Sequence, residues 1–254
     1  MTLNKNRLGL NQRVRLEWLE RTAHLILAGN NEKDIHGTLQ ELLKDQLSVG
    51  SQAKRCNRDK VISILQMVWV NPIPEIRALR TEGLQFLAQP PEGICFGETS
   101  LIVHWGMMMA VYPFWTAVAT QTGRLLRLQG NATASQIQRR LRELYGERES
   151  VSKATRRVLR SFVDWGVLQD TEKIGIYTGG TSQTVEDPRL VAWLIEAFLR
   201  SKGNGPIPLK EIIENPGLFP FRIKPLHGEY LAKASSRLEF FYSGLDEVLV
   251  RVKA

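Results

Sequence analysis

Hydrophobic positions recur at helical spacing through most of the chain. Arg13 to Leu27 carries Leu16, Leu19, Ala23 and Leu27 on one face, and Gly29-Asn30-Asn31 stops it. Glu32 to Leu47 repeats the pattern with Ile35, Leu39, Leu42 and Leu43. Asp59 to Val70 is apolar at Val61, Ile62, Leu65, Val68 and Trp69, and Asn71-Pro72 ends it. A shorter helix from Glu75 to Ala88 precedes the loop Pro90-Pro91-Glu92-Gly93. Between Glu98 and Arg124 there is no charged residue, and LIVHWGMMMAVYPFWTAVAT is long enough to span a bilayer. His104, Pro113, Thr116, Thr120 and Gln121 interrupt that run, and Pro113 would break a single helix in the middle. Two buried core helices, 97–111 and 113–129, are the expectation.

Beyond Gln129-Gly130 the elements change. Thr133-Ala134-Ser135-Gln136 has the form of a capping box, with Thr133 and Gln136 serving the start of a helix that runs to Tyr145. Ile137, Leu141 and Leu144 form its inner face. Ser150 can cap a further helix, SVSKATRRVLRSFVDW, which stops at Gly166. In that helix Lys153, Arg156, Arg157 and Arg160 fall within roughly 100° of arc at about 100° per residue. Val151, Ala154, Val158, Phe162 and Trp165 lie opposite. Val167-Leu168-Gln169 reads as a strand, Asp170 to Lys173 as a turn and Ile174 to Tyr177 as a return strand.

Gly179 to Thr184 reads as a linker. Asp187-Pro188 opens a helix with Val191, Leu194, Ile195 and Phe198 inward, to Arg200. Short helices near 208–214 and 225–236 follow, then a hairpin of Leu238–Tyr242 with Val248–Val252. The fold class is therefore mainly α, with an N-terminal helical domain (1–112), a central domain (113–180) and a small C-terminal α+β domain (181–254).

Charge bears on this division. The chain carries a formal net charge of +8 over 254 residues. Residues 115–180 hold 11 Lys/Arg against 6 Asp/Glu, more of the excess than either flank. A basic excess of this kind points to nucleic acid or another polyanion. A second basic stretch, QAKRCNRDK at 52–60, reads as a solvated helix start or a phosphate-contacting patch.

Cys56 and Cys95 have no metal spacing, and His24, His36, His104 and His227 are scattered, so no metal site and no small-molecule cofactor are expected. There is no nucleophile elbow, phosphate-binding loop or dinucleotide fingerprint. Asp246 and Glu247 near Arg251 and Lys253 lack the Glu-x-Lys spacing of a nuclease strand. The expectation is not an enzyme. The polar, basic start MTLNKNRLGLNQRVR has no apolar signal core, which fits a cytoplasmic protein.

The segments GRLLRLQGNATASQIQRRLRELYG, SVSKATRRVLRSFVDWGVL and KIGIYTG, in that order, resemble a winged helix-turn-helix. The tail resembles a second, degenerate one whose third helix, HGEYLAKASSR, has few cations and suits packing or dimerisation. In layout the chain also resembles the BrxA proteins of BREX-type phage-defence loci: a helical first part with QAKRCNRDKVISIL, apolar helices ending in AVYPFW, then the winged helix. That resemblance implies a DNA-binding accessory of a bacterial defence system and carries over no catalytic residue.

The winged-helix resemblance implies how duplex DNA would be met. The helix 150–165 enters the major groove, and residues near its N-terminus reach base edges. These are Ser152, Lys153, Arg156 and Arg157. Arg160 lies one turn on and suits phosphate, as do Arg139, Arg140 and Arg142 on the preceding helix and Lys173 at the wing tip. The expected partners are double-stranded DNA and other protein subunits or a second copy, with no membrane. Three alternatives stay open. The cations only solvate the surface, pairing with Glu143, Glu147 and Glu149. The basic face meets an acidic protein within a larger complex. Or residues 101–120 hold the chain at a membrane.

Overall fold

The computed structural model describes residues 9–47, 56–203, 205–243 and 247–253. Residues 52–55 of the basic stretch 52–60 lie outside them; of its remainder, Arg58 donates to the Gln40 carbonyl. The described residues form a mainly helical protein with small sheets of two or three strands.

The first section builds a helical layer. α1 (Leu16–Leu27) buries Trp18, Leu19, Thr22, Ala23 and Leu25. α2 (Glu32–Leu42) is capped by Asn31, whose side-chain oxygen accepts from the Asp34 N–H at 3.0 Å. α3 (Asn57–Leu65) runs into a π-helical turn, Gln66–Val70, where a plain α-helix is expected. A short turn at Pro74–Ile76 precedes α4 (Arg77–Ala88), because Pro74 is accepted at a helix start.

α5 (Phe96–Val111) and α6 (Pro113–Gln129) are the two expected apolar helices. Thirteen of the sixteen residues of α5 are buried, enclosed by α1, α4, α6, the π-helical turn and the later helix Pro188–Lys202. Among the described residues no single helix is long and apolar enough to cross a membrane. α5 and α6 together have the length and composition, but they bend by 117° at the break before Pro113.

After α6 the chain forms β1 (Asn131–Thr133), α7 (Ala134–Tyr145), α8 (Glu149–Asp164), β2 (Leu168–Asp170) and β3 (Ile176–Gly179). The three strands pair antiparallel in the order β1-β3-β2. Ala132 faces Tyr177, and Asp170 faces Tyr177 from the other side. Four sequence expectations change here. Leu144, expected on the inner face of α7, is exposed, and only Ile137 and Leu141 of that face are buried. Thr133 does not cap α7 with its side chain, because it belongs to β1; the Ala134 N–H donates to the Gly175 carbonyl at 2.8 Å. Ser150 does not cap α8, which begins one residue earlier with Arg148 at the cap position and no side-chain cap bond. The return strand starts at Ile176, which leaves Ile174 in the turn.

The expected linker holds β4 (Gln183–Val185), paired in parallel with β6 (Phe221–Ile223). Between them lie α9 (Pro188–Lys202), β5 (Ile207–Pro208), α10 (Leu209–Ile213) and a turn at Pro216–Leu218. α11 (Gly228–Ala234), β7 (Leu238–Ser243) and β8 (Glu247–Val252) finish the chain, with strand order β5-β8-β7. The run α9-β5-α10-α11-β7-β8 thus repeats the element order and strand order of α6-β1-α7-α8-β2-β3, with the β4-β6 pair as an addition.

The buried apolar residues form one continuous core from Leu10 to Val250, which crosses both expected boundaries, 112 and 180. Its centre is aromatic. The Trp105 ring lies 5.3 Å from Trp115, 5.0 Å from Phe162 and 5.5 Å from Phe219 between centroids. Edge-to-face and offset pairs of this kind add to the gain from burial. They tie α5, α6, α8 and the segment before β6 together, so α8 is anchored in the middle of the molecule.

Candidate nucleic-acid interface

α8 divides as its sequence predicts. Val151, Val158 and Phe162 are fully buried and Ala154 nearly so, while Lys153 and Arg156 are exposed and Ser152, Arg157 and Arg160 half-buried. A helix packed so firmly on one side holds the Cα positions that carry its outward cations in a fixed relation.

Each expected site residue has a definite setting. Lys153 pairs with Glu149 one turn earlier at 2.8 Å, and that bond holds the Glu149 carboxyl below its usual range. Arg160 donates from Nη1 to both Asp170 carboxylate oxygens at 2.7 Å. This pair binds the outward strip of α8 to the end of β2. Tyr177 lies close by; burial raises its phenol pKa, and Arg160 opposes the rise. Arg142 pairs with Glu147 at 3.6 Å. Of the pairings foreseen for solvated cations, those to Glu147 and Glu149 are formed. The side chains of Arg139, Arg140, Arg156 and Lys173 make no hydrogen bond or ion pair among the described residues, and all four are exposed.

Arg157 departs from its expected setting. Its guanidinium donates to the Asn11 carbonyl. It belongs to a strap formed by the N-terminal segment, which runs along the second half of α8. The Val14 N–H donates to Ser161 Oγ at 2.8 Å, Trp165 Nε1 donates to the Val14 carbonyl at 2.9 Å, and Arg13 pairs with Asp164. The Asp164 carboxylate raises the Arg13 pKa. Leu10 and Val14, the apolar residues of the strap, are fully buried. On a helical wheel Arg157, Ser161 and Asp164 lie to one side of Lys153, Arg156 and Arg160, so the strap borders the outward strip without covering it. The polar, basic look of residues 1–15 hid this role; Leu10 and Val14, four apart, were the available signal.

The wing is a tight, internally bonded turn. The Thr171 hydroxyl faces the Lys173 and Ile176 carbonyls at 3.1 and 3.0 Å, and the Ile176 N–H donates to the Lys173 carbonyl at 3.1 Å. Gly175 sits at φ +80°, a left-handed conformation that side chains disfavour. Lys173 and Ile174 are carried outward, and Ile174 is fully exposed.

Among the described residues no group of three or more His, Cys, Asp or Glu is placed to hold a metal ion. Comparison with protein-family models, curated proteins and solved structures finds no match to this chain.

Proposed function

We propose that this protein binds duplex DNA through α8, with α6 to β3 acting as a winged-helix module. The observation that carries the reading is one constellation: three helices, a β1-β3-β2 sheet, and an outward cationic strip on the third helix beside the wing. In this docking α8 lies in the major groove. Ser152, Lys153 and Arg156 approach base edges, where an arginine can make two hydrogen bonds to guanine. Arg139, Arg140 and Lys173 meet phosphates on either side. Arg157 serves the strap first, and Arg160 reaches phosphate only on leaving Asp170.

The role that fits is a DNA-binding accessory subunit of a bacterial defence system, or a transcription regulator, in the cytoplasm. Lys153, Arg157 and Arg160 already hold partners within the chain, and this favours a second reading in which the same face docks a protein subunit. A gel-shift titration of random duplexes in salt separates the two. The three cations that meet phosphates, Arg139, Arg140 and Lys173, predict a log–log salt slope of about −2.7, at about −0.9 per phosphate. No binding at micromolar protein, or binding indifferent to salt, favours the protein-docking reading.

A further inference from the structure

We infer that Ile174 is an apolar wedge that enters the minor groove of the duplex held by α8 and partly unstacks one base step. The inference rests on the DNA reading above and goes beyond it, because the winged-helix order alone assigns no such residue.

The exposure of Ile174 is the starting point. At 103% relative exposure it touches nothing in the fold, more exposed than Leu128 at 76% or Leu144 at 61%. Single exposed apolar residues are ordinary. This one differs in its mounting. Turn positions favour Gly, Pro, Asn, Asp and Ser, each for a backbone reason that isoleucine does not share. The turn around it is fixed by the Thr171 hydroxyl, by the Ile176–Lys173 bond and by the Ala134–Gly175 bond at 2.8 Å. Isoleucine is itself stiff at χ1. The result is a rigid, narrow, apolar point.

Its surroundings say what it meets. Lys173 precedes it, with an exposed side chain that has no partner among the described residues. The Arg160–Asp170 pair holds the end of β2 against the outward strip of α8, so the tip stands beside the cationic face. A duplex lying on that face presents a phosphate wall to Lys173 and a groove edge to Ile174. A lone isoleucine following Glu172 and Lys173 is too little surface for a protein interface, which takes about 800 Å² per partner. It is enough for the gap between two bases: Ile, Leu, Phe and Met inserted there bend DNA by about 20–90°. Glu172 on the same turn disfavours broad phosphate contact and leaves point insertion as the geometry that fits.

The test uses the full chain and a doubly end-labelled duplex of about 30 base pairs rich in TA steps, which unstack most easily. Energy transfer between the ends reports bending, and 2-aminopurine at the central steps reports unstacking. Wild type is expected to bend the duplex and brighten 2-aminopurine. Ile174→Ser is expected to bind about tenfold more weakly, because the apolar burial is gone, with no bend, no brightening and an unchanged salt slope. Ile174→Leu is expected to restore all three signals. Equal bending and affinity in wild type and Ile174→Ser would overturn the wedge and leave DNA binding standing. No binding by wild type would remove both.

Discussion

The same substitution should have opposite signs at two glycines, and the structure sets the sizes. Gly37 lies in α2 and is exposed, with nothing within 4 Å of where a Cβ would stand. Gly123 lies in α6 against the turn at Pro216–Leu218. A Cβ there would fall well inside van der Waals contact distance of the Pro216 carbonyl oxygen and 2.8 Å from Phe219 Cβ. In a helix interior alanine is better than glycine by about 1 kcal/mol. Gly37→Ala should keep that gain. At Gly123 the obstacle is backbone, so α6 and the turn must part. Parting them moves Phe219 from its place 5.5 Å from Trp105 and loosens the aromatic centre. Overpacking of this kind costs about 1–3 kcal/mol, and more where backbone must shift. For a chain of this size 1 kcal/mol moves Tm by about 2–4 °C. Gly37→Ala should raise Tm by about 2–4 °C, and Gly123→Ala should lower it by about 2–12 °C. Thermal melts by circular dichroism, with urea midpoints as a check, measure both. A Gly123→Ala protein at least as stable as wild type would refute this picture of how α6 is fixed to the C-terminal part.

Two further expectations concern charge. Asp170→Asn should release Arg160 and tighten duplex binding a few-fold, with a salt slope steeper by about one; unchanged binding would mean Arg160 stays off the duplex. His104 is fully buried in α5, where Trp69 Nε1 donates to its Nδ1 at 3.2 Å. Burial, with a smaller contribution from His24, lowers its pKa to about 3. The folded state refuses a proton that the unfolded state accepts below its ordinary pKa, 6.5. Stability is therefore complete above that value and falls away as pH drops toward 3, by up to about 1.4 kcal/mol per pH unit. Unfolding free energies from urea titrations at pH 7 and pH 5 should differ by about 2 kcal/mol in wild type and by clearly less in His104→Gln. An equal loss in both would assign the acid sensitivity elsewhere.

The helices were legible because their cores recur at fixed spacing. Leu16, Leu19 and Ala23, or Val151, Ala154 and Val158, announce a buried face without knowledge of what covers it. Pro113 likewise marked the break between α5 and α6. The strands were less legible where their pairing is distant. Asn131-Ala132-Thr133 has one inward residue and is a strand only because Ile176 to Thr178 lies beside it. Gln183 to Val185 finds its partner in Phe221 to Ile223, far along the chain. For the candidate site, the outward strip of α8 could be read directly, since charge and helical period decide it. Its local partners could not. The grip of Asn11 on Arg157 and of Asp170 on Arg160 depends on how separate segments meet. The exposed tip at Ile174 depends on a turn that runs further than the pattern suggested.

DNA binding stands or falls with α8, and one comparison tests it most directly. Binding of a labelled random duplex is measured at two salt concentrations for wild type, for Lys153→Ala with Arg156→Ala, and for Lys210→Ala with Lys233→Ala. Arg157 is left intact because it also secures the N-terminal strap. Both double variants remove two exposed cations, Lys210 and Lys233 lying on the C-terminal helices. Recognition through α8 predicts salt-dependent binding by wild type and near-normal binding by the C-terminal variant. The α8 variant should bind at least about tenfold more weakly, with a flatter salt slope where a phosphate is no longer held and a relaxed sequence preference where a base edge is no longer read. Equal weakening in two variants that are both folded by circular dichroism would contradict it, since net charge alone would then explain the binding.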